Sequence, residues 1–484
     1  MPAAVLGLDI GTTSVKAVVV ARAGKVLGEG SSDPITTTTP TSGASEQDPA
    51  DLWAAVVAAV QRALSSLEQG VSLAGLAMAA QSGSVVPVAG DRVVGPVVTW
   101  MDMRALSIIE GFSPEQRSLV RRVSGWTPSA GLGLATIAWL RSQAMAEAPP
   151  ERFAGVDSFI AHRLTGEWVT NPSNAAGFQL MDVLRLEWDG ELCALAGIEP
   201  AVLVPIAATG CRIGGVQPAA AAVLGLPPGL PVFAGGHDQA CAAVALGITE
   251  PGAMMLSAGT AWVLTAATDS ADVAALADSL NLSPHAVAGR WTTSRHLGGI
   301  GAVIAGWLRT AYERPDELES DLTGFGPTST TPAFLPNLLD SNLLDSGGAG
   351  LGRFVPAPGD TSRAERSWAV LEAAAFSVRQ AVEAITSTTE PVTSLTVIGG
   401  GSRPAVLRTL ADATGLVISV PRHASWPALG AAQVAATALG WEFSPAWAAP
   451  GGTDLVEPRA DIIGGRYAAY RRLIEGRLSE GGAP

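Results

Sequence analysis

Lysine is almost absent from this chain. Lys16 and Lys25 are the only two among 484 residues, and every other basic residue is arginine. Cysteine is scarce as well: Cys193, Cys211 and Cys241 are odd in number, far apart, and form no CxxC pair. That excludes a disulfide framework and a cysteine-built zinc site, and it points to a reducing compartment. No apolar run reaches the ~20 residues of a membrane helix. The opening MPAAVLGLDIG carries no basic leader before a long apolar stretch, so a soluble cytoplasmic protein is expected. Positive charge is in deficit, with 30 Lys and Arg against 44 Asp and Glu and a net charge of −14. Such a surface argues against non-specific binding to nucleic acid or anionic membrane. It leaves room for a phosphate ligand, which backbone amides and a metal ion can hold locally.

What is present is apolar and patterned. Hydrophobic residues make up 48% and charged residues 15%, which excludes a disordered chain. The length suits two or three domains. Residues 5–10 (VLGLDI) and 15–20 (VKAVVV) are apolar, β-branched runs separated by GTTS. They predict a hairpin whose sheet is covered on both faces. Helices are expected over 48–67, 113–124, 132–147 and 153–164, and a strand over 75–80. Strands and helices in alternation imply an α/β architecture.

The second half repeats this order. AMMLSAGTAWVLTAA (253–267) again places a Gly-Thr turn between apolar runs, and LTVIGGGSRPAVLRTLADATG (395–415) reads as strand, glycine turn and helix. A duplicated α/β unit follows, with the boundary near 240–250 at the Pro-Gly of TEPGAM. The stretches 321–337 and 345–362 are loop-rich, and GGAP (481–484) is expected to fray.

Four segments can carry chemistry. In Asp9-Ile-Gly-Thr-Thr-Ser-Val-Lys16, Gly11 allows a tight turn, and Thr12, Thr13 and Ser14 offer amides and hydroxyls to phosphoryl oxygens. Asp9 at the strand end suits the water shell of Mg²⁺; Lys16 is either a phosphate contact or a solvated strand side chain. In Gly235-Gly236-His237-Asp238-Gln239-Ala240, Asp238 stands just before an Ala-rich helix (240–247), as a reacting carboxylate or as a cap. Trp100-Met101-Asp102-Met103-Arg104 follows the strand-like VVGPVVTW; its Asp and Arg either bind polyol hydroxyls or pair with each other. Gly399-Gly400-Gly401-Ser402 lets backbone approach a flat ligand, and HLGGIGAVIAGWLR (296–309) is another glycine-rich helix entry, though either is equally explained by close packing.

In this order the segments resemble the FGGY family of carbohydrate kinases, within the actin/hexokinase/Hsp70 ATPase superfamily, over nearly the whole chain. LGLDIGTTSVKAVV and SAGTAW are similar to its two phosphate motifs, WMDMR to its sugar contact, GGHDQA to its catalytic segment, and VIGGGSRPAVLRTLADATG with ALGAA (428–432) to its adenosine motif. LTGEWVTNPSNAAGFQLMDV (164–183) resembles the end of the helical part of the sugar domain.

The resemblance implies two ribonuclease H-like, actin-type ATPase domains, duplicated, with a cleft between them: 1–245 for the sugar and 246–484 for the nucleotide. It implies ATP and Mg²⁺, with Asp238 as general base and Asp9 for the metal. Thr12 and Thr13, with Gly259 and Thr260, would hold the phosphates, Gly400, Gly401 and Ser402 would line the adenosine pocket, and Lys16 and Gly299 would also bind the nucleotide. Gln81, Ser82, Trp100, Asp102, Arg104 and Asp238 would face the sugar. The nearest members are xylulokinase-like, which implies a ketopentose such as xylulose as substrate and allows a homodimer.

Three departures keep other substrates open: Gln81-Ser82-Gly83 where xylulokinases usually have Met-His-Gly, Met103 where they usually have glycine, and FLPNLLDSN (334–342) in place of Phe-x-Pro-Tyr-x-x-Gly-Glu-Arg. Glycerol, gluconate or ribulose kinase activity and an inactive ATP-binding homologue are the alternatives.

Overall fold

The computed structural model describes residues 3–143, 150–259, 261–314, 316–328, 330–337, 350–357, 359–387, 392–423, 425–442, 452–459 and 463–479. Thr260, the end of the expected helix at 144–147, residues 338–342 of FLPNLLDSN, residues 345–349 and GGAP lie outside these. In chain order the principal elements are β1 (Ala3–Ile10), β2 (Val15–Ala21), β3 (Val26–Ser31), α1 (Pro49–Ser65), β4 (Ser72–Ala80), α2 (Pro114–Ser124), α3 (Gly133–Ser142), α4 (Val156–Thr165) and α5 (Pro172–Ala176). Then come β5 (Arg212–Gly215), β6 (Pro231–His237), α6 (Asp238–Ala245), β7 (Met254–Ala258), β8 (Trp262–Thr268) and α7 (Ile300–Ala311). Last come α8 (Arg363–Thr386), β9 (Ser394–Ile398), α9 (Pro404–Thr414), β10 (Val417–Pro421), α10 (Trp426–Ala438) and β11 (Thr453–Val456).

The chain forms two compact units. The first comprises residues 1–250, 267–293 and 423–451; the second comprises 251–266, 294–422 and 452–484. The first is built on a six-stranded sheet of order β5-β6-β4-β1-β2-β3. β1 and β2 form the expected antiparallel hairpin, closed by Gly11 N donating to Ser14 O. β1, β4 and β6 run parallel, and β5 is antiparallel to β6.

Ala4 to Ile10 are all buried, because α1 covers β2 and β3 while α10 crosses β1, β4 and β6. Each fully buried Val, Leu or Ile along these strands stabilises the sheet by roughly 1.5–3 kcal/mol. α1 starts where its sequence says it should: Asp48 accepts from Ala50 N, Pro49 takes the first helical position, and Leu52, Val56, Ala59, Val60 and Ala63 turn inward.

Two glycines let α10 pack closely, Gly7 against the sheet and Gly430 against α6. A Cβ at Gly7 would lie 1.9 Å from Ala428 O, and one at Gly430 would lie 1.8 Å from Cys241 O in α6. The ALGAA stretch (428–432) packs within the first unit, while the glycine turn at 399–402 belongs to the second.

The second sheet has seven strands, of which five run in the order β8-β7-β9-β10-β11, with β7 antiparallel to β8, β7, β9 and β10 parallel, and β11 antiparallel to β10; the strands Trp291–His296 and Asn281–Pro284 continue it beyond β8. Strand for strand and direction for direction these five repeat β2-β1-β4-β6-β5 of the first. The long α8 is buried along much of its length and packs on α7 and α9.

Local details depart from the sequence reading. The expected helix 153–164 is a short strand, Arg152–Ala154, broken at Gly155 before α4. VVGPVVTW contributes only the two-residue strands Arg92–Val93 and Val97–Val98, because Gly95 adopts a left-handed φ of 90°. The loop-rich 345–362 holds a strand, Gly352–Val355, paired with Ala333–Pro336. The helix after Gly236 starts at Asp238 itself, two residues earlier than its alanine run.

Candidate active site

In a parallel sheet covered by helices, ligands bind outside the carboxyl ends of the strands. In the first unit those ends carry Asp9 (β1), Gln81 (after β4) and Asp238 (after β6). Asp9 and Gly236 both pair with Ala79, so the three strands end in one row. Two strand spacings, about 10 Å, separate the outer members of that row.

Asp9 is 7% exposed. Its Oδ2 accepts from Ser425 Oγ at 3.0 Å and lies 3.9 Å from Lys16 Nζ. Burial pushes the Asp9 carboxyl up to about 6; Lys16 opposes this, the negative charge of Asp238 adds to it, and the bond from Ser425 opposes it. Lys16 projects from β2 with its side chain 39% exposed. Asp238 opens α6, where the helix dipole favours a negative charge. Its Oδ1 lies 2.9 Å from His237 Nε2, within ion-pair range but not aligned as a hydrogen bond.

Thr12 joins the strand ends to the WMDMR segment. Its hydroxyl donates to Gln81 Oε1 (3.1 Å) and accepts from Trp100 Nε1 (2.9 Å), while its carbonyl accepts from Gln47 Nε2 (2.6 Å). Thr13, next in the turn, is exposed, and its carbonyl accepts from Ile35 N. Gln81 is buried, its Oε1 also accepts from Ser84 Oγ, and its Nε2 has no partner. Ser82 Oγ donates to Asn174 O at 2.8 Å.

Asp102 and Arg104 do not extend side by side; they sit in a turn and grip each other. Asp102 accepts from Ser45 N, Arg104 N, Arg104 Nε and Arg104 Nη2, the last at 2.7 Å. Arg104 Nη2 also meets Glu46 Oε1 at 2.6 Å, and the guanidinium stacks 4.2 Å from the Trp139 ring centroid. This is the paired alternative for those two residues, and among the described residues it leaves the Nη1 donors of Arg104 without a partner.

The strand ends of the second unit carry glycine instead of charge. Gly401 N donates to Ala258 O at 2.9 Å, which ties the turn after β9 to the turn after β7. Gly399 adopts φ 102°, and a Cβ there would meet Ala258 O at 2.8 Å. Gly400 faces open space, and a Cβ at Gly259 would meet only Ala261 O, at an ordinary contact distance of 3.6 Å. Ser402 Oγ donates to Gly399 O, and Pro404 opens α9. Gly299 caps α7, and Gly298 O accepts from Trp262 N, so the 298–299 turn joins this unit's group.

Several site residues were not singled out from the sequence. Ser425 reaches Asp9 from 416 positions away, a separation that no local pattern reveals. Gln47 and the α5 residues Ser173 and Asn174 were missed as well. For α5 a signal exists: Asn171 followed by Pro172 is a helix start, and Asn171 does accept from Asn174 N.

The chain matches the family model for the N-terminal domain of the FGGY family of carbohydrate kinases over residues 4–245, and the model for its C-terminal domain over 254–439. A xylulose kinase of Staphylococcus xylosus is 25% identical over 462 residues, covering 92% of this chain and 94% of that protein. A glycerol kinase of Gloeobacter violaceus is 27% identical over 498 residues, covering 98% and 96%. The crystal structure of a xylulose kinase from Rhodospirillum rubrum shares the fold with a TM-score of 0.86 at 24% identity, over 98% of this chain and 99% of that one. With both domains matched, the chain belongs to the FGGY family of carbohydrate kinases, ATP-using phosphotransferases of the two-domain actin/hexokinase type.

Proposed function

We propose that this kinase transfers the γ-phosphoryl group of ATP to a hydroxyl of a small uncharged sugar, with a ketopentose such as xylulose the first choice. The observation that carries this is the Asp238 carboxylate at the end of a parallel strand, in one row with Asp9. Asp238 accepts the proton of the attacking hydroxyl as the phosphoryl group moves in line. Thr12, Thr13 and Lys16, with Gly259 and Thr260, hold the phosphates; Gly299, Gly400, Gly401 and Ser402 line the adenosine pocket. The unpaired Nε2 of Gln81, the Nη1 donors of Arg104, and Ser82, Trp100 and Asp102 contact the sugar.

Charge selects among substrates. Glu46 and Asp102 together outweigh Arg104, so this segment carries excess negative charge and disfavours the carboxylate of a sugar acid. Glycerol is the second reading. It is favoured by the 27% identity to a glycerol kinase across nearly the whole chain and by Ser82 standing where xylulokinases usually carry histidine.

Mg²⁺ fits Asp9. A carboxyl whose burial favours its neutral form is one that a cation would keep ionised. Among the described residues no three acidic, histidine or cysteine side chains converge on a metal site, which suits an ion held largely by phosphate oxygens and water. When bound, it would neutralise charge on the transferring phosphate. Asp9 holds its place through Ser425 and Lys16. Among the described residues no helix is long and apolar enough to cross a membrane; the free cysteines and acidic balance fit a cytoplasmic enzyme.

A coupled assay of ADP release over ketopentoses, ketohexoses, sugar acids and polyols, run with wild type and Asp238→Asn, tests this reading. Release stimulated by xylulose or glycerol but not gluconate, and lost in Asp238→Asn while ATP still binds, is expected. Gluconate as the best substrate, or full turnover by Asp238→Asn, overturns it.

A further inference from the structure

We infer that two neighbouring residues of α5, Ser173 and Asn174, are positioning residues that set the catalytic loop and the sugar loop separately. The inference rests on the assignment of Asp238 and Gln81 above. α5 is a short helix whose polar residues face inward: Asn171 is 3% exposed, Ser173 2% and Asn174 2%, and Asp157 beneath them 5%.

Asn171 is the anchor. Its Nδ2 donates to Asp157 Oδ2 (3.3 Å) and Asn174 Oδ1 (2.8 Å); its Oδ1 accepts from Ser173 Oγ (2.8 Å) and Asn174 N (3.0 Å). Thr170 Oγ1 donates to Asp157 Oδ2 at 2.6 Å and holds the base of the network. A buried network with its partners in place fixes geometry strongly, and a missing member is costly.

From this anchor the two side chains diverge. Asn174 Nδ2 donates to Ala80 O (3.2 Å) and Gln81 O (3.3 Å), and Asn174 O accepts from Ser82 Oγ (2.8 Å). Those are the three residues where β4 leaves the sheet into the QSG loop. Ser173 Oγ accepts from His237 N at 2.8 Å, the last residue before Asp238.

The surrounding glycines accommodate both bonds. A Cβ at Gly236 would lie 3.1 Å from Ser173 Oγ, and one at Gly177 would lie 2.1 Å from Ser82 Oγ. Each contact has a defined polarity. Asn174 must donate to two carbonyls, which Asp cannot do, whereas Ser173 must present a lone pair to an amide, which Ala cannot do.

Ser173→Ala and Asn174→Asp, made separately in the full chain, test the assignment by steady-state kinetics with ATP and xylulose (glycerol if xylulose is inert), alongside thermal unfolding and Asp238→Asn. A displacement near 1 Å can cost up to about 100-fold, so changes of about 10-fold are expected here. Ser173→Ala should lower kcat while the sugar KM stays within a factor of about two. Asn174→Asp should raise the sugar KM about 10-fold and diminish the sugar-induced rise in Tm, with the ATP KM unchanged.

Should Asn174→Asp fail to fold, Asn174→Ser removes the same amide donors without adding charge. Equal loss of kcat and sugar affinity in both variants, or a lowered Tm with kinetics intact, overturns the division of labour. Wild-type turnover by Asp238→Asn instead brings down the base assignment and the Ser173 half with it, while the KM effect still decides the Asn174 half. An inactive Asp238→Asn beside a fully active Ser173→Ala overturns this inference alone.

Discussion

Five strands of each sheet share their order and directions, yet the carboxyl ends of the two sheets are furnished in opposite ways. In the first unit the strand ends carry Asp9, Gln81 and Asp238, stiffened by Ser425, Thr12 and the α5 network. In the second they carry Gly259, Gly399, Gly400 and Gly401, joined by backbone bonds such as Gly401 N to Ala258 O. The repeated frame therefore carries side chains at the strand ends of one unit and bare glycine turns at those of the other. On the function proposed above, one copy presents the side chains that would accept a proton and bind hydroxyls, and the other presents bare backbone that a nucleotide could approach closely. Phosphoryl transfer needs positioning and charge stabilisation in place of a covalent intermediate, and such a division supplies both.

The sharpest way to break this contrast is Asp238→Asn. If the side chains of the first unit do the chemistry, kcat falls by roughly 10²–10⁴ while ATP binding, measured by calorimetry, persists. Next is Gly430→Ala, which asks whether the packing of α10 on α6 is integral to the first unit. The added methyl meets Cys241 O, so a loss of about 1–3 kcal/mol, read as a lower midpoint in urea, is expected. An unchanged midpoint would detach α10 from that role.

A pH experiment probes the buried carboxylates of the first unit. Burial pushes Asp157 up to about 6, and the bond from Thr170 opposes it only in part. The native state then holds the proton more tightly than the unfolded chain. Stability is greatest while Asp157 is protonated, falls as pH rises from about 4 to about 6, and stays reduced above that, by about 3 kcal/mol in all. Asp157→Asn should flatten this fall in urea melts at pH 4 and pH 7, leaving only the share due to Asp9, which is shifted in the same direction. An unaltered slope would show Asp157 solvated.

The smallest effect belongs to the second unit. Gly401→Ala places a Cβ 2.9 Å from Ala258 O and should raise the ATP KM by about 10-fold, near 1.4 kcal/mol, without touching the sugar KM. A sugar KM that moves with it would blur the division.

Much of this was legible beforehand for local reasons. The β1–β2 hairpin is written in apolar runs around Gly11, and α1 in Asp48-Pro49 followed by helical spacing. The Gly-Thr turn repeated at 11–13 and 259–260 announced the duplication. The QSG loop was visible as a departure, but not its tether, because Asn174 lies 93 positions from Gln81. Asp102 and Arg104 were seen as a pair of types; that they grip each other, with Glu46 as third member, depends on a turn that the VVGPVVTW pattern hides.

By itself the sequence determined the α/β class, the doubling of the unit and the turns that end its strands. Apolar period, glycine and helix caps act over a few residues and need no partner from afar. Only the tertiary structure decided that residues 428–432 pack on β1 and α6, that Ser425 touches Asp9, and that one short helix holds two loops. Such contacts exist only once the chain has closed on itself, and they depend on clearances, such as the missing Cβ of Gly7 and Gly430, that a one-dimensional pattern does not record.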